Sequence, residues 1–285
     1  VIDEAPLAGG QIYRRPPPGF RRPAKELYGF EAAKAEAIHR TFDGLTDAID
    51  YRPRTLAWNV QDRVLYTACD DAVTPVPFDA LLLATGATDR VLPFPGWTLP
   101  GVFTLGGSQV ALKHQGCAVG RRTVFLGSTP LLYLVAHQYV RAGAEVVAVL
   151  DTAPFSAKMR ALPKLLSDTP MSAKGLYTMA ALRRSGVPIE HGVRPVAAEG
   201  DGAVAGLRYR RPGGGEVRID CDAVAFGFGL RPESQLADLA DCGFFFDPVL
   251  RQWLPQCAGD GRAGDGVYLA GDGARIGGAD AAEVA

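Results

Sequence analysis

The alternation of apolar and polar residues is most regular between Thr123 and Asp151. An apolar run ends at Gly127, and a helix-length segment follows it with apolar positions at Leu131, Leu134, Val135, Ala136 and Val140. Gly143 interrupts this segment, and a second apolar run, Glu145–Leu150, ends at Asp151. A strand, a tight turn, a helix and a second strand in this order predict a βαβ unit.

Shorter patterns predict the elements on either side of this unit. Alternating residues around Gln61-Asp62 predict a hairpin of Thr55–Val60 and Val64–Ala68, and the apolar run Phe78–Ala84 predicts a buried strand. Helices are predicted over Lys25–Phe42, Gly106–Gln115 and Ala157–Ser185, the last broken around Pro163 and Pro170. Further strands are predicted at Val187–His191, Val196–Glu199, Val204–Arg211, Val217–Asp220, Ala223–Phe228 and Val267–Ala270, several of them in an antiparallel meander joined by glycine turns.

Composition and charge narrow the range of functions. A chain of 285 residues has room for about two domains, and its formal net charge of −1 gives no general attraction to nucleic acid or anionic membranes. No apolar run is long enough to form a transmembrane segment. Five dispersed cysteines without a C-x-x-C pair exclude the usual zinc spacings and an adjacent redox pair, and predict reduced thiols in a cytoplasmic protein.

The βαβ unit has the general shape of a dinucleotide site. In such a unit the turn at Gly127 and Ser128 directs backbone N–H groups toward a phosphate, and an acid at Asp151 accepts hydrogen bonds from a ribose. A G-x-G-x-x-G frame that starts at Gly127 has Thr129 and Leu132 at its other two glycine positions. A threonine side chain at the second position would obstruct the pyrophosphate and would weaken or abolish nucleotide binding here.

The same turn has a second interpretation that needs no ligand. Thr129 followed by Pro130 is typical of a helix N-cap with proline in the first turn, which predicts that the helix end is satisfied internally. If a nucleotide binds, Asp151 disfavours a 2′-phosphate, so NAD is expected rather than NADP. The sequence leaves both outcomes open.

Three predicted strands end in small residues, at Ala84-Thr85-Gly86, Phe226–Gly229 and Ala270-Gly271-Asp272. The motifs DALLLATGATDR, AVAFGFGLRP and VYLAGDGARIGGA that contain them resemble those of the pyridine nucleotide-disulphide reductase superfamily. The resemblance implies an α/β, FAD/NAD(P)-binding Rossmann-like three-layer fold with an inserted second dinucleotide-binding domain. It also implies an FAD-binding domain of residues 1–99 and 229–285, and an insert of residues 100–228.

Three further segments narrow the resemblance: VIDEAPLAGGQIYR, PGVFTLGGSQ and GSTPLLYLVAHQYVRAGAEVVAVLD. Together they resemble the FAD-binding alpha subunits of opine oxidase, hydrogen cyanide synthase and dye-linked proline dehydrogenase. This resemblance implies an FAD-dependent oxidoreductase that works beside a second, beta-type flavoprotein subunit on a small amine or amino-acid-derived substrate. It implies no catalytic side chain, because the flavin performs the hydride or electron chemistry.

The resemblance also implies roles for individual residues. Glu4, at the end of a predicted strand Val1–Glu4, would hold the adenosine ribose, although such an acid is otherwise simply solvated. Gly9, Gly10 and Gln11 would lie near the flavin, Thr85 and Gly86 near the phosphates and adenosine, and Gly271 and Asp272 at the ribityl chain. The primary G-x-G-x-x-G of the superfamily would precede Val1, so the chain is expected to be part of a longer polypeptide, as a predicted helix start at Ala279–Ala285 also indicates.

Two other functions remain open at this point. A stand-alone NAD(P)H-dependent flavin reductase would require an intact nucleotide site at Gly127–Asp151. A non-catalytic cofactor-holding subunit, or a fragment, would require no catalytic activity at either cofactor site. The histidines His39, His114, His137 and His191 share no metal-ligand spacing. Ser108 and Ser128 lack a partnered base in the sequence, so nucleophilic catalysis is not predicted.

Overall fold

The computed structural model of the protein describes residues 1–20, 22–157, 159–160 and 169–277. The chain forms two compact units, of which the first comprises Val1–Thr88 with Leu230–Ala285 and the second Asp89–Gly229. The second unit is therefore inserted into the first along the chain, and the predicted insert, residues 100–228, lies within it. The assignment of each unit to a particular cofactor stays a prediction.

Short strands predominate among the described elements. In chain order they are β1 (Leu56–Gln61), β2 (Val64–Cys69), β3 (Ala72–Pro77), β4 (Leu81–Leu83), β5 (Ala87–Asp89), β6 (Val102–Thr104), β7 (Arg122–Gly127), β8 (Glu145–Asp151), β9 (Ile189–His191), β10 (Arg194–Glu199), β11 (Gly206–Arg210), β12 (Glu216–Asp220), β13 (Ala223–Gly227), β14 (Leu230–Pro232), β15 (Phe244–Asp247), β16 (Gln252–Pro255), β17 (Arg262–Gly264) and β18 (Val267–Leu269). The α-helices with described bounds are α1 (Ala24–Tyr28), α2 (Ala32–Asp43), α3 (Leu105–Lys113), α4 (Pro130–Arg141), α5 (Thr169–Arg184) and α6 (Gln235–Leu239), with 3-10 turns at Gly29–Glu31 and Gly271–Gly273.

A parallel sheet in the order β6-β13-β7-β8-β9 forms the centre of the second unit. Successive side chains of a strand point to opposite faces, and this alternation separates two cores along β7. Val124 and Leu126 pack into one core with residues of the antiparallel meander β10-β11-β12, such as Leu207. Phe125 packs on the other face with helix residues such as Leu132. Helices, parallel sheet and meander thus form the three layers that the sequence predicts.

The first unit contains smaller sheets. Strands β1, β2 and β3 form an antiparallel sheet, β15 pairs with β16, and β17-β18-β4 form a mixed sheet in which β18 and β4 run parallel. Apolar residues from β1, β2, β4, β18 and α6 share one core. The parallel pair brings the ends of two distant chain segments together, because Leu83 pairs with Leu269.

Several predicted elements are confirmed, with shifted ends. The βαβ unit is β7, α4 and β8, and the first hairpin is β1 and β2, which turns through Asp62 and Arg63 at φ 51° and 59°. Of the strands predicted around the meander, only β10, β11 and β12 belong to it. Ile189–His191 and Ala223–Gly227 instead lie in the parallel sheet.

Other predictions need correction. Leu134 is 43% exposed, because the buried side of α4 is formed by Leu132, Tyr133, Val135, Ala136 and Tyr139. Gly29, at φ 60°, ends α1 and divides the single helix predicted over Lys25–Phe42. Strand β3 was not predicted, since its two prolines are unfavourable in the interior of a sheet. The predicted break at Pro163 and the predicted helix start at Ala279–Ala285 lie outside the described residues.

The predicted strand Val1–Glu4 is reduced to one parallel bridge between Ile2 and Arg52. Two backbone hydrogen bonds support it, from Asp3 N to Arg52 O at 3.1 Å and from Arg52 N to Val1 O at 2.8 Å. The segment therefore lies beside Arg52 and does not extend the sheet that contains β4.

Candidate functional site

The ends of β4 and β18 lie side by side in the first unit. The parallel register pairs Leu81 with Val267 and Leu83 with Leu269, and Ala270 N donates to Leu83 O at 3.1 Å. The residues that follow each strand, Thr85-Gly86 and Gly271-Asp272, consequently leave the sheet at the same edge. Two motifs that lie far apart in the sequence therefore form one locus.

The backbones approach so closely at this locus that a side chain would not fit. A Cβ atom on Gly273 would lie 2.9 Å from Thr85 Oγ1 and 3.4 Å from Gly86 N. The Thr85 hydroxyl donates to the carbonyl of Glu233, whose N–H donates to Gly86 O at 2.9 Å. The hydrogen bonds hold the turn after β4 to the residue that follows β14, and the close approach of Gly273 packs the turn after β18 against it.

Two glycines at this edge adopt backbone conformations that other residues rarely take. Gly86 has φ +73° and Gly271 has φ 62°, and a Cβ on Gly86 would meet no atom within 4 Å. The Asp272 Oδ1 atom accepts a hydrogen bond from Gly277 N at 3.1 Å. Since a carboxylate can accept several hydrogen bonds, Asp272 retains capacity for a hydroxyl donor.

The N-terminal site residues lie in a separate turn. Gly9 has φ 143° and a Cβ there would lie 2.3 Å from Tyr13 O, so this glycine is required by the turn itself. Gly10, at φ 56°, faces open space. Glu4 and Gln11 are exposed, and Gln11 Oε1 accepts from Arg14 Nη2 at 3.2 Å. No strand pairing among the described residues connects this turn to the locus at Gly86 and Asp272.

In the second unit, the turn after β7 packs tightly against β13. A Cβ on Gly127 would lie 2.0 Å from Gly227 O, and Ser128 N donates to the same carbonyl at 3.3 Å. Gly127 O accepts two hydrogen bonds from Thr152, from its N–H at 2.7 Å and from its hydroxyl at 3.2 Å. Gly127 is therefore needed for the packing of neighbouring strands.

Asp151, at the end of β8, is 0% exposed and its carboxylate is surrounded by donors. The Tyr133 hydroxyl donates to Oδ2, and Ala153 N donates to Oδ1 at 2.7 Å. His191 follows in the next parallel strand, with Nδ1 3.6 Å from Oδ2. Burial, reinforced by the hydrogen bond to Asp151, raises the pKa of Tyr133, so its hydroxyl stays protonated as a donor.

The predicted N-cap of α4 is confirmed, because Pro130 begins the helix and Thr129 occupies the N-cap position in an extended conformation. Its side chain makes no capping hydrogen bond. The first turn is instead closed by Leu132 N, which donates to Thr129 O at 3.1 Å.

Sequence reasoning did not identify Tyr133 and His191 as site residues. Tyr133 lies on the buried side of α4, one turn into the helix, and His191 ends the strand beside β8. The register Asp151–His191 depends on sheet order, which a single sequence does not reveal. The available signal was a tyrosine in the first turn of a helix that precedes the acid of a βαβ unit.

Other kinds of site lack support in the described part of the chain. There, no group of three His, Cys, Asp or Glu residues could hold a metal ion. None of the helices in that part is long and apolar enough to cross a membrane. All five cysteines are free thiols, and burial raises the pKa of Cys221 to about 11, which makes this thiol unreactive near neutral pH.

Comparison with known proteins agrees with these features. A family model described as pyridine nucleotide-disulphide oxidoreductase matches residues 12–285. An opine oxidase subunit of Agrobacterium tumefaciens (strain Ach5) is 37% identical over 100% of this chain and 58% of that protein. Hydrogen cyanide synthase subunit HcnB of Pseudomonas aeruginosa is 32% identical over 100% of this chain and 63% of that protein. The chain thus spans about three fifths of the length of these curated relatives.

Solved structures support the fold. The thioredoxin reductase of T. acidophilum superimposes with a TM-score of 0.65 at 18% identity, covering 99% of this chain and 84% of that chain. The matched family comprises FAD-binding oxidoreductases, some of which also use NAD(P). The resemblance seen in the sequence motifs is confirmed: the chain belongs to the pyridine nucleotide-disulphide oxidoreductase family.

Proposed function

We propose that this chain holds FAD in its first unit and forms part of an oxidoreductase resembling opine oxidase. The observation that carries the proposal is the locus formed by Thr85-Gly86 and Gly271-Asp272. Gly86 turns through positive φ and faces open space, which leaves room for a bulky cofactor to approach main-chain atoms, and Gly273 packs against Thr85 so that the two turns lie side by side. The 37% identity to an opine oxidase subunit supports the narrower assignment.

The residues at this locus fit parts of FAD. Gly86 offers main-chain atoms next to open space, as an approach by phosphate or adenosine requires. Asp272 would accept a hydrogen bond from a ribityl hydroxyl, and the exposed Glu4 and Gln11, with Gly9 and Gly10 between them, would contribute the adenosine ribose and flavin contacts. When bound, the flavin supplies the hydride or electron chemistry, so no side chain of the chain need act as an acid or base.

The substrate and the partner belong to the same proposal. The relatives are named as subunits, of opine oxidase and of hydrogen cyanide synthase. By analogy, this chain acts in the cytoplasm beside a second, beta-type flavoprotein subunit, and the complex oxidises a small amine or an amino-acid-derived compound. The chain would then accept electrons from the partner's reaction or pass them onward.

Visible absorption of the purified protein tests FAD binding directly. We expect flavin bands that survive gel filtration, and an Asp272→Asn variant that binds FAD about tenfold more weakly, which corresponds to about 1.4 kcal/mol. An Asp260→Asn variant is the matched control, because Asp260 is an exposed turn residue that accepts only a local hydrogen bond, from Arg262 N at 3.1 Å. A protein that binds no flavin, even with FAD added in excess, would reject the proposal for this chain.

Anaerobic addition of an amine substrate and of NADH then separates the remaining functions. If an opine or an amino acid bleaches the flavin absorption in the presence of the partner protein, the result supports the proposed oxidoreductase. Bleaching by NADH alone indicates a stand-alone flavin reductase, and flavin that neither reductant bleaches indicates a cofactor-holding subunit.

A further inference from the structure

We propose that the βαβ site of the second unit is closed to NAD(P), because the chain's own groups make the hydrogen bonds that a dinucleotide would need. The obstruction extends over the whole end of the unit, from the turn after β7 to the acid that ends β8. This inference goes beyond the proposed function and does not depend on FAD binding by the first unit.

NAD(P) does not fit at the phosphate end of the site, which is the turn at Gly127 and Ser128. A pyrophosphate needs free backbone N–H groups in the turn and a backbone that it can approach closely. Here Ser128 N donates to Gly227 O at 3.3 Å, and Gly127 packs against the same carbonyl, which a Cβ would approach to 2.0 Å. The turn is therefore bound to the neighbouring strand β13 in place of a ligand.

The two other glycine positions of the fingerprint carry side chains with structural roles. Leu132 is 0% exposed and belongs to the core between α4 and the sheet, so the third position cannot become small without a cavity. Thr129 stands at the second position, and its Cγ2 is 3.9 Å from where a Cβ on Gly229 would be. The threonine side chain thus faces the turn at Gly229 that follows β13.

The ribose end of the site is closed by a cluster of three side chains, Tyr133, Asp151 and His191. A ribose needs both of its vicinal hydroxyls to donate to the acid. In this chain the Tyr133 hydroxyl already donates to one carboxylate oxygen and Ala153 N to the other. His191 Nδ1 lies 3.5 Å from the Tyr133 hydroxyl oxygen and 3.6 Å from Asp151 Oδ2, on the remaining side.

Tyr133 makes the hydrogen bond to Asp151 that a ribose hydroxyl would otherwise make. Its hydroxyl approaches Asp151 from helix α4, and Asp151 is 0% exposed. A dinucleotide would have to displace a buried tyrosine from a charge-assisted hydrogen bond, which is among the stronger interactions in proteins. The second unit would therefore serve the enzyme without binding a nicotinamide, and electrons would pass to or from the flavin by another route.

Isothermal titration with ADP-ribose, in the presence of saturating FAD, tests the inference. Excess FAD keeps the probe from the first unit. We expect the wild-type protein to bind more weakly than about 1 mM, the low end of specific affinities. A Thr129→Gly/Tyr133→Phe double variant should bind at least about tenfold more tightly than either single variant, because it opens both ends of the site. Thr129→Gly alone should give only a small gain, since Asp151 would remain engaged.

Tyr139→Phe is the matched control. Tyr139 lies on the same helix, is buried like Tyr133, and donates its hydroxyl to Ser108 O at 2.8 Å, away from Asp151. This variant should leave ADP-ribose binding unchanged. Micromolar binding of ADP-ribose or NADH by the wild type, lost in Asp151→Asn, would overturn the inference. A folded double variant that gains no affinity would show that the cluster is not what excludes the nucleotide.

Discussion

Glu190 and Arg211 form a two-pronged ion pair in the second unit. Arg211 Nη2 lies 2.6 Å from Oε1 and Nε lies 2.9 Å from Oε2, and the buried Tyr209 also donates to Oε1, at 2.8 Å. The hydrogen bonds from Arg211 hold the pKa of Glu190 below its usual range. The pair connects the end region of β11 to β9, beside the Tyr133–Asp151–His191 cluster.

Replacement of Glu190 by glutamine should weaken the fold in a pH-dependent way. An acid whose pKa is lowered in the folded state adds stability above its unfolded pKa, about 4.3, and loses it as the pH falls below that value. We expect Glu190→Gln to cost about 1 kcal/mol at pH 7, since Arg211 is half exposed, and almost nothing at pH 3. Urea unfolding at both values measures the difference. Asp265→Asn, which removes an ion pair of a 97% exposed carboxylate, is the control and should change little.

Lys113 should make stability depend on pH on the alkaline side. The residue is 8% exposed at the end of α3, and burial lowers its pKa to about 8. Below pH 8 the lysine is charged in both states, so the full penalty of burying the ammonium applies. Between pH 8 and the unfolded pKa of about 10.4 the folded protein gains stability as the amine deprotonates.

Lys113→Met should therefore stabilise the protein by about 1–3 kcal/mol at pH 7, and by less at pH 9.5. Thermal unfolding at the two pH values measures this, provided that unfolding is reversible. Lys25→Met, at an exposed lysine of α1, should show no such pH-dependent gain. An equal effect of Lys113→Met at both pH values would mean that the ammonium reaches water.

Gly127→Ala should destabilise the second unit severely. The new Cβ would lie 2.0 Å from Gly227 O, a backbone atom that cannot rotate away, so β7 and β13 would have to separate. We expect a loss of about 2–4 kcal/mol, as for other overpacked cores. Gly175→Ala is the control, since a Cβ there meets nothing within 4 Å and the residue lies in helix α5. That change should stabilise by about 0.5–1 kcal/mol.

Gly273→Ala should weaken FAD binding more than it weakens the fold. Its Cβ would press on Thr85 Oγ1 at 2.9 Å and would push the two strand ends apart. We expect a loss of about tenfold in FAD affinity, or about 1.4 kcal/mol, measured by flavin fluorescence. Gly259→Ala, in open space, should leave both stability and affinity unchanged. If the Gly273 variant binds FAD with unaltered affinity, this locus is not part of the FAD site.

The sequence predicted those features that depend on local pattern. The βαβ unit follows from apolar spacing around Gly127 and Gly143, and the strand ends at Thr85 and Asp272 follow from short motifs. Leu134, one of the apolar positions of the predicted helix, is exposed, because apolar residues almost surround α4 and the sequence alone does not orient the helix. Tyr133 lies within the same apolar pattern, so the sequence gives no sign that its hydroxyl binds Asp151.

Features that depend on the packing of distant segments cannot be predicted from local sequence patterns. Asp151 and His191 meet only because β8 and β9 are parallel neighbours, and Tyr133 reaches Asp151 from the helix between β7 and β8. The role of Gly127 likewise depends on Gly227, one hundred positions later in the chain. The local pattern around Gly127 indicates a phosphate site, yet the glycine allows β7 to pack against β13. No local pattern distinguishes phosphate binding from strand packing.

The two prolines of β3 remove hydrogen-bond donors from one edge of the hairpin sheet. Strand β3 lies at the edge of its sheet, and Pro75 and Pro77 pair with Tyr66 and Val64 of β2. A proline has no N–H group, so the outer edge lacks the regular row of donors that another strand would need. Since β3 is also largely exposed, an extended chain that approached this edge would find fewer donors to pair with.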